Sequence, residues 1–543
     1  MDHGPAIQGS VERDAPPAAA PGEERTGSHR RTAASGRSIL AGWPLLAVLA
    51  TQCILTLRLV RADTAFQDEA LYLWAGHLEW ANVLHGTPLP QFPAFFSGAP
   101  VIYPLLGALA DSIGGLTGAR VLSLVFMLGA TALLWATTGR LYGRRAAFFA
   151  AALFAVLGPT LHLGSFATYD AMSLFLVALA AWLVVRAGDR PDATGWMVAA
   201  GVTLALANAT LYPSALFDPV VILLALATAF PKPGGRQAAA RALILLAIVA
   251  VLVTVGLLLG GSRYLHGVEV TTVTRVGGSD TPLTVLAHAW SWTSVIVAAA
   301  ICGAVISWIG QPRSAQTWLL TLLAGAALLV PIEQAALHST ASLNKHVDLG
   351  AWFAAIAAGY AAEKLIAGAP AGTMQAVTCA ACVVALSFPA VLGTYQSNAF
   401  STSWPNSSAF VTILGPLVDH STRRLLVEDP SIAEYYLPAG TQWQRWSSTR
   451  NIIGLEGEPT GGPSGKAGIV GDGNAGTFAM YIAEGYFSLV AINFSDTVPL
   501  DKSIAADLHR NPRYHIIQIV PYGPGPSGPA PGTYVIWRYE RQS

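Results

Sequence analysis

The chain has 543 residues, 53% of them hydrophobic and only 11% charged, with a mean hydropathy of +0.48. Soluble domains carry roughly 25% charged residues, so an ordinary soluble enzyme is excluded and long segments must lie in lipid. A formal net charge of zero, with no basic stripe, gives nucleic acid no footing.

In chain order, residues 1–37 are rich in Pro, Ala, Gly and charge. They have almost nothing to bury and are expected to form a disordered cytoplasmic tail. The next apolar run continues into "RLVRAD" without a small-residue cleavage site, so it reads as a retained first membrane helix. Candidate spans fall at 39–60, 118–140, 146–163, 169–187, 195–212, 213–230, 241–260, 284–309, 316–332, 349–366 and 373–394. These are about eleven stretches of the length needed to cross a bilayer. The segment 99–116, "APVIYPLLGALADSIGGL", is broken by Pro100, Pro104, Asp111 and glycines, and reads as a helix lying at the interface.

Lys and Arg favour the cytoplasmic side. With an inside N-terminus, "RLYGRR", "RAGDR" and "PKPGGRQAAAR" all fall on that side, which sets the orientation. Asp68, Glu69 and Glu79 then lie in the first outer loop, 61–117. Asp170 sits at the outer mouth of the fourth span, and Glu333 and Asp348 flank a late outer loop. Outer loops are commonly polar, which accounts for most of these acids one by one. Asp170 is the harder case, because a charge heading an apolar helix is costly to desolvate. Cys53, Cys302, Cys379 and Cys382 all lie in apolar stretches and read as small hydrophobes, with no disulfide framework. His338, His346 and Asp348 fit no tight ligand spacing. No metal site and no cofactor are therefore expected, and a divalent ion is the open alternative.

From residue 395 the composition turns mixed and polar. "RRLLVEDPSIAEYYL" reads as strand, turn and helix. "AGTFAMYIAEGYFSLVAI" reads as an amphipathic helix, and "RYHIIQIVPYG" and "GTYVIWRYE" read as strands around the linker "GPGPSGPAPG". The expected organisation is the tail 1–37, a transmembrane bundle 38–394 and a soluble extracytoplasmic α/β domain 395–543.

The outer-loop motif "FQDEALY", the "YP" segment and "GLTGARVLSLVF" resemble the membrane-embedded GT-C glycosyltransferases. The similarity is to the protein-O-mannosyltransferase and aminoarabinose-transferase groups, in a bacterial and, from its Ala, Gly, Arg and Pro usage, actinobacterial form. "SFATYDAMSLFLVALAAWLVVRA" and "STASLNKHVDLGAWFAAIAAGYAAEKL" extend the resemblance over about residues 40–365. It implies an all-α polytopic bundle with an outer domain. It also implies an inverting transfer of sugar from a polyprenyl-phosphate donor to an acceptor hydroxyl on a protein, lipid or wall polysaccharide, at the outer face of the cytoplasmic membrane. By the same resemblance Asp68 is the base and Asp170 a second acid, while Lys345, His346, Arg263 and Arg275 are the candidates for holding the lipid phosphate; Glu69, beside Asp68 but pointing roughly 100° away on a helix, is a candidate for a supporting or acceptor-binding role. The chemistry asks for the same parts. A carboxylate takes the acceptor proton, and cations meet the charge growing on a leaving phosphate. The competing class is a multi-span transporter or flippase. Against it, the halves show no inverted repeat, and the charges gather at one face instead of midway.

Overall fold

The computed structural model describes residues 42–540 apart from 189, 191, 230–234, 276, 420–423, 439–441, 455–467, 473, 496 and 523–531. The tail 1–37, the first four residues of "PKPGGRQAAAR" and nearly all of "GPGPSGPAPG" lie outside the described residues. Contacts group Leu45–Ser543 into one unit. Of the unit before it, Met1–Pro44, residues 42–44 are described and begin the first helix.

Apolar runs become helices here because lipid offers no partner for a free backbone amide. Helix α1 is Trp43–Leu57, and α2, Gln67–His85, fills the loop that follows. Helix α3, Tyr103–Tyr142, is two helices meeting at Gly115, whose φ of 61° and ψ of −162° break the ladder. The stretch read as interfacial is thereby set off from the span after it. Helices α4, Arg144–Ala155, and α5, Gly158–Gly164, meet at a 70° bend. There follow α6 (Tyr169–Ala187), α7 (Thr194–Thr210), a short turn at Tyr212–Phe217, α8 (Asp218–Ala229) and α9 (Gly235–Thr271). Next come α10 (Pro282–Gly310), α11 (Ala315–Gly325), α12 (Leu329–Ala336), α13 (Leu343–Gly368), α14 (Thr373–Ala385) and α15 (Ser387–Ser401).

Among the described residues, each stretch expected to span overlaps helix, in places short, bent or interrupted. Seven helices among the described residues are long and apolar enough to cross a membrane, or eight if the bent α4–α5 pair counts as one span. Helix α1 and the 212–228 segment are shorter apolar helices, and α7 has 17 residues. The chain is a multi-pass membrane protein.

Helices α13 and α6 form the centre of the bundle, with 78% and 72% of their apolar windows buried, against 11% for α14–α15. Small residues permit this density. Gly303 of α10 rests on the Ala357 carbonyl, and Gly359 of α13 on that of Ala146, with no room for a Cβ at either contact. The two central helices start at Tyr169 and Leu343, and their first turns meet, with Lys345 Nζ 4.0 Å from Asp170.

After α16 (Ser408–Leu414) the chain builds a mixed sheet. Strands β1 (Leu425–Val427), β2 (Trp446–Ser447), β5 (Leu489–Ile492), β6 (Tyr514–Tyr522) and β7 (Gly532–Tyr539) pair in the order β2-β1-β5-β7-β6. Strand β1 runs parallel to β2 and β5, and the other pairs are antiparallel. Strands β3 (Asn451–Gly454) and β4 (Gly468–Asp472) form a separate ribbon. Helices α17 (Ser431–Tyr436), α18 (Ala475–Ala483) and α19 (Val498–Arg510) complete the described elements. Alternation along β1 sends Leu425 and Val427 into one core, with Phe410 and Trp446, and Leu426 into another, with Phe478 and Ile504. The stretch read as a single amphipathic helix is instead α18 followed by β5. Gly485, at φ 70°, turns the chain between them in a conformation other residues seldom adopt.

The sheet region holds the loop after α1. Trp404 Nε1 donates to the Thr64 carbonyl (3.0 Å), Asn406 to Asp63 (2.8 Å), and the Ala65 N–H to the Tyr436 hydroxyl (2.9 Å). Helix α17 lies along α2, packing Ile432 against Ala65 and Ala70.

Candidate active site

Asp68 stands in the first turn of α2 with its side chain 24% exposed, and it accepts from the Lys345 ammonium at 2.7 Å. Lys345 is in the first turn of α13, buried, and its Nζ lies 4.0 Å from Asp170 Oδ2 at the head of α6. His346 Nε2 is 3.2 Å from the other Asp170 oxygen. Thr168 donates to Asp170 Oδ2 at 2.7 Å, and Lys345 Nζ stands 5.7 Å above the Phe166 ring. Three segments far apart in sequence therefore place two carboxylates, an ammonium and an imidazole in one contiguous network. The stacked rings of Tyr72 and Tyr169, 4.5 Å apart, wall it on the α2–α6 side.

Glu69 points elsewhere, as neighbours on a helix must. Its carboxylate takes both arms of the Arg120 fork at 2.6 and 2.8 Å, plus the backbone N–H groups of Ala167 (2.8 Å) and Phe66 (3.0 Å). The rest of the Arg120 guanidinium donates to the carbonyls of Val60, Asp63 and Thr64. Glu69 is fully buried and Arg120 nearly so. The pair ties the loop after α1, the start of α2, α3 and the segment before α6 into one rigid corner, and Asp68 is mounted on it. Arg120 went unnoticed in sequence although the signal was present, since a charge heading an apolar run is the same anomaly that marked Asp170.

Helix α13 begins six residues before the span expected at 349–366, so Lys345, His346 and Asp348 are helical and inward, not loop residues. Asp348 is fully buried and accepts from Thr160 at 3.1 Å. Arg275 lies apart from the carboxylate network, in a cavity with Glu333. The Arg263 side chain lies outside what the structure describes. His338 turns away to the Asp280 carbonyl (3.0 Å), and His77 pairs with Asp111 (2.7 Å). Among the described residues no group of three His, Cys, Asp or Glu side chains is arranged to hold a metal ion.

On the sheet side, Asp429 lies within electrostatic reach of Asp68, and burial raises its carboxyl above the usual range. Burial and the neighbouring Asp429 charge hold the Glu434 carboxyl well above its ordinary value. Burial likewise raises the Tyr72 hydroxyl, with help from the charge of Asp68.

A family model described as dolichyl-phosphate-mannose-protein mannosyltransferase matches residues 99–259. No curated protein sequence matches the chain significantly. Among solved structures, it is similar to ArnT from Cupriavidus metallidurans bound to undecaprenyl phosphate, at 13% identity and a TM-score of 0.56, covering 93% of this chain and 98% of that one. It is also similar to the archaeal oligosaccharyltransferase AglB from Archaeoglobus fulgidus, in complex with an inhibitory peptide and a dolichol-phosphate. There the identity is 13% and the TM-score 0.52, covering 85% of this chain and 71% of that one.

Proposed function

We propose that this chain, whose fold is that of the GT-C superfamily, is an integral-membrane glycosyltransferase that moves a sugar from a polyprenyl-phosphate donor to an acceptor hydroxyl. The observation that carries the reading is the meeting of Asp68, Lys345, Asp170 and His346 where the first turns of the two central helices come together. In this reading the acceptor oxygen attacks the anomeric carbon as Asp68 takes its proton, and the sugar–phosphate bond breaks with its electron pair left on the phosphate. One displacement gives inversion. Lys345 and His346 are the side chains that would face the phosphate, the ammonium meeting charge that grows as the bond breaks, with Arg275 at the adjoining cavity. Asp170 holds Lys345 and His346 in place.

The 2.7 Å contact between Asp68 and Lys345 adds a sequence of events. The ammonium occupies the carboxylate oxygen that would take the acceptor proton. A donor phosphate competing for that ammonium frees Asp68, so the base becomes active once donor is bound. The reaction is placed at the outer face of the cytoplasmic membrane, with the N-terminal tail 1–37 inside and the region 395–543 outside. This rests on the basic linkers that share the opposite end.

Asp68→Asn tests the assignment. In proteoliposomes supplied with a polyprenyl-phosphate sugar, turnover is expected to fall by about 10²- to 10⁴-fold, the usual share of a general base, with donor binding retained. Turnover within a few-fold of the parent would remove Asp68 as the base.

A further inference from the structure

Beside the carboxylate network lies a cavity of about 320 Å³, lined among others by Tyr212, Thr271, Thr272, Arg275, Glu333 and Leu337. Its size is at the lower end of small-molecule pockets, roughly 300–1,000 Å³, which suits a head group. It adjoins the site from two directions. Helix α12, which carries Glu333, packs against α13, which carries Lys345 and His346, and the Tyr212–Phe217 turn touches both α6 and α13. The Tyr212 hydroxyl donates to Tyr264 at 3.0 Å, which fixes its ring at the cavity wall.

The walls are held firmly. The Gly278 N–H donates to the Leu337 carbonyl (2.9 Å) and the Asp280 N–H to that of His338 (2.9 Å), while Thr340 caps Asp280 through both its N–H and its hydroxyl. These bonds keep the segment carrying Arg275 alongside the one carrying Glu333. Yet the two side chains form no ion pair among the described residues. Glu333 Oε2 is buried without a hydrogen bond, as are both amide atoms of the fully buried Gln334 and Nδ1 of His346. Of these groups Glu333 lines the cavity, and a carboxylate oxygen left without a partner there suits a ligand with several hydroxyls.

We propose that Glu333 is a specificity-determining residue that reads the hydroxyl groups of the donor sugar in this cavity, with Arg275 meeting the phosphate at its edge. The inference rests on the lipid-donor reading above and extends it from the phosphate to the monosaccharide. Glu333 takes no part in bond making. It selects which sugar sits with its anomeric carbon toward Asp68.

The test compares undecaprenyl phosphate alone with undecaprenyl-phosphate mannose, glucose and arabinose, binding each to purified full-length protein in nanodiscs. The parent is expected to bind at least one sugar-bearing lipid more tightly than the bare phosphate. Glu333→Gln, nearly isosteric, should weaken that lipid by about ten- to hundredfold, as expected for lost hydrogen bonds to a charged group, and leave the bare phosphate within a few-fold. Leu337→Trp, which fills the cavity without touching the charge, should do the same, and it decides the matter if Glu333→Gln does not fold. Variants that keep the parent's preference overturn the proposal. So do variants that lose bare phosphate equally, or a parent indifferent to the sugar, and that last outcome would leave the lipid-donor reading standing. A parent that binds none of the four lipids overturns both.

Discussion

Arg120 and Lys345 each face a carboxylate, but the surroundings give them different work. Arg120 is saturated by Glu69 and three carbonyls, all in one corner. Lys345 has two carboxylates and an aromatic face within reach, one of those carboxylates partly open to solvent. Arg120→Ala should therefore destabilise the fold by about 3–5 kcal/mol, as when one partner of a buried pair is removed, read as a lower thermal midpoint in detergent. Arg120→Lys keeps the charge but loses the fork; it should retain much of the stability while lowering turnover, because Asp68 is mounted on that corner. Unchanged turnover would show that the corner does not position Asp68. Glu434 gives a prediction with a pH sign. A carboxyl raised in the folded state contributes fully below its unfolded value, near about 4.3, and loses that contribution as pH rises through the folded value. Glu434→Gln removes the titration, so its thermal midpoint relative to the parent should rise between pH 5 and pH 8. A constant difference would contradict the buried placement of that side chain beside Asp429.

At the scale of elements, much of the bundle was legible because the hydrocarbon core demands long apolar runs, and each such run overlaps helix. Asp68 and Asp170 were legible as charges placed where charge is costly. The fate of Glu69 was not, since adjacency in sequence says nothing of a partner 51 residues away. The α18–β5 stretch was misread as one helix because its apolar positions fit a helical period up to Gly485, and only backbone geometry shows the turn there. The inward placement of Lys345 and His346 was hidden for a related reason. Polar residues open α13 before its apolar run begins, so hydropathy starts the helix late. The link between α17 and α3 is likewise invisible in sequence. The Tyr435 hydroxyl donates to Asp111 at 2.6 Å, and His77 of α2 holds the other carboxylate oxygen. Tyr435→Phe removes one hydrogen bond to a carboxylate, worth about 1.5–3 kcal/mol. It should make the 395–543 region easier to cleave in limited proteolysis while the bundle's helical signal persists. Unaltered cleavage would mean the contact carries little of the attachment.

For the molecule as a whole, the carboxylate network sits at one end of the bundle while the basic linkers crowd the other. Arg241 shows the contrast: it is buried against the carbonyls of Ala187, Gly188 and Arg190, a structural use of charge. At the opposite end the cations face carboxylates and a cavity. On the proposed function, a lipid-linked donor would bring its phosphate to that end, with its tail along the bundle and its head group toward Asp68. The most direct measurement is an experimental structure of the protein with bound undecaprenyl phosphate. The expected result is phosphate density within hydrogen-bonding reach of Lys345, His346 or Arg275, beside Asp68. Density for the phosphate at the other end, among Arg140 and Arg241, would contradict the proposal.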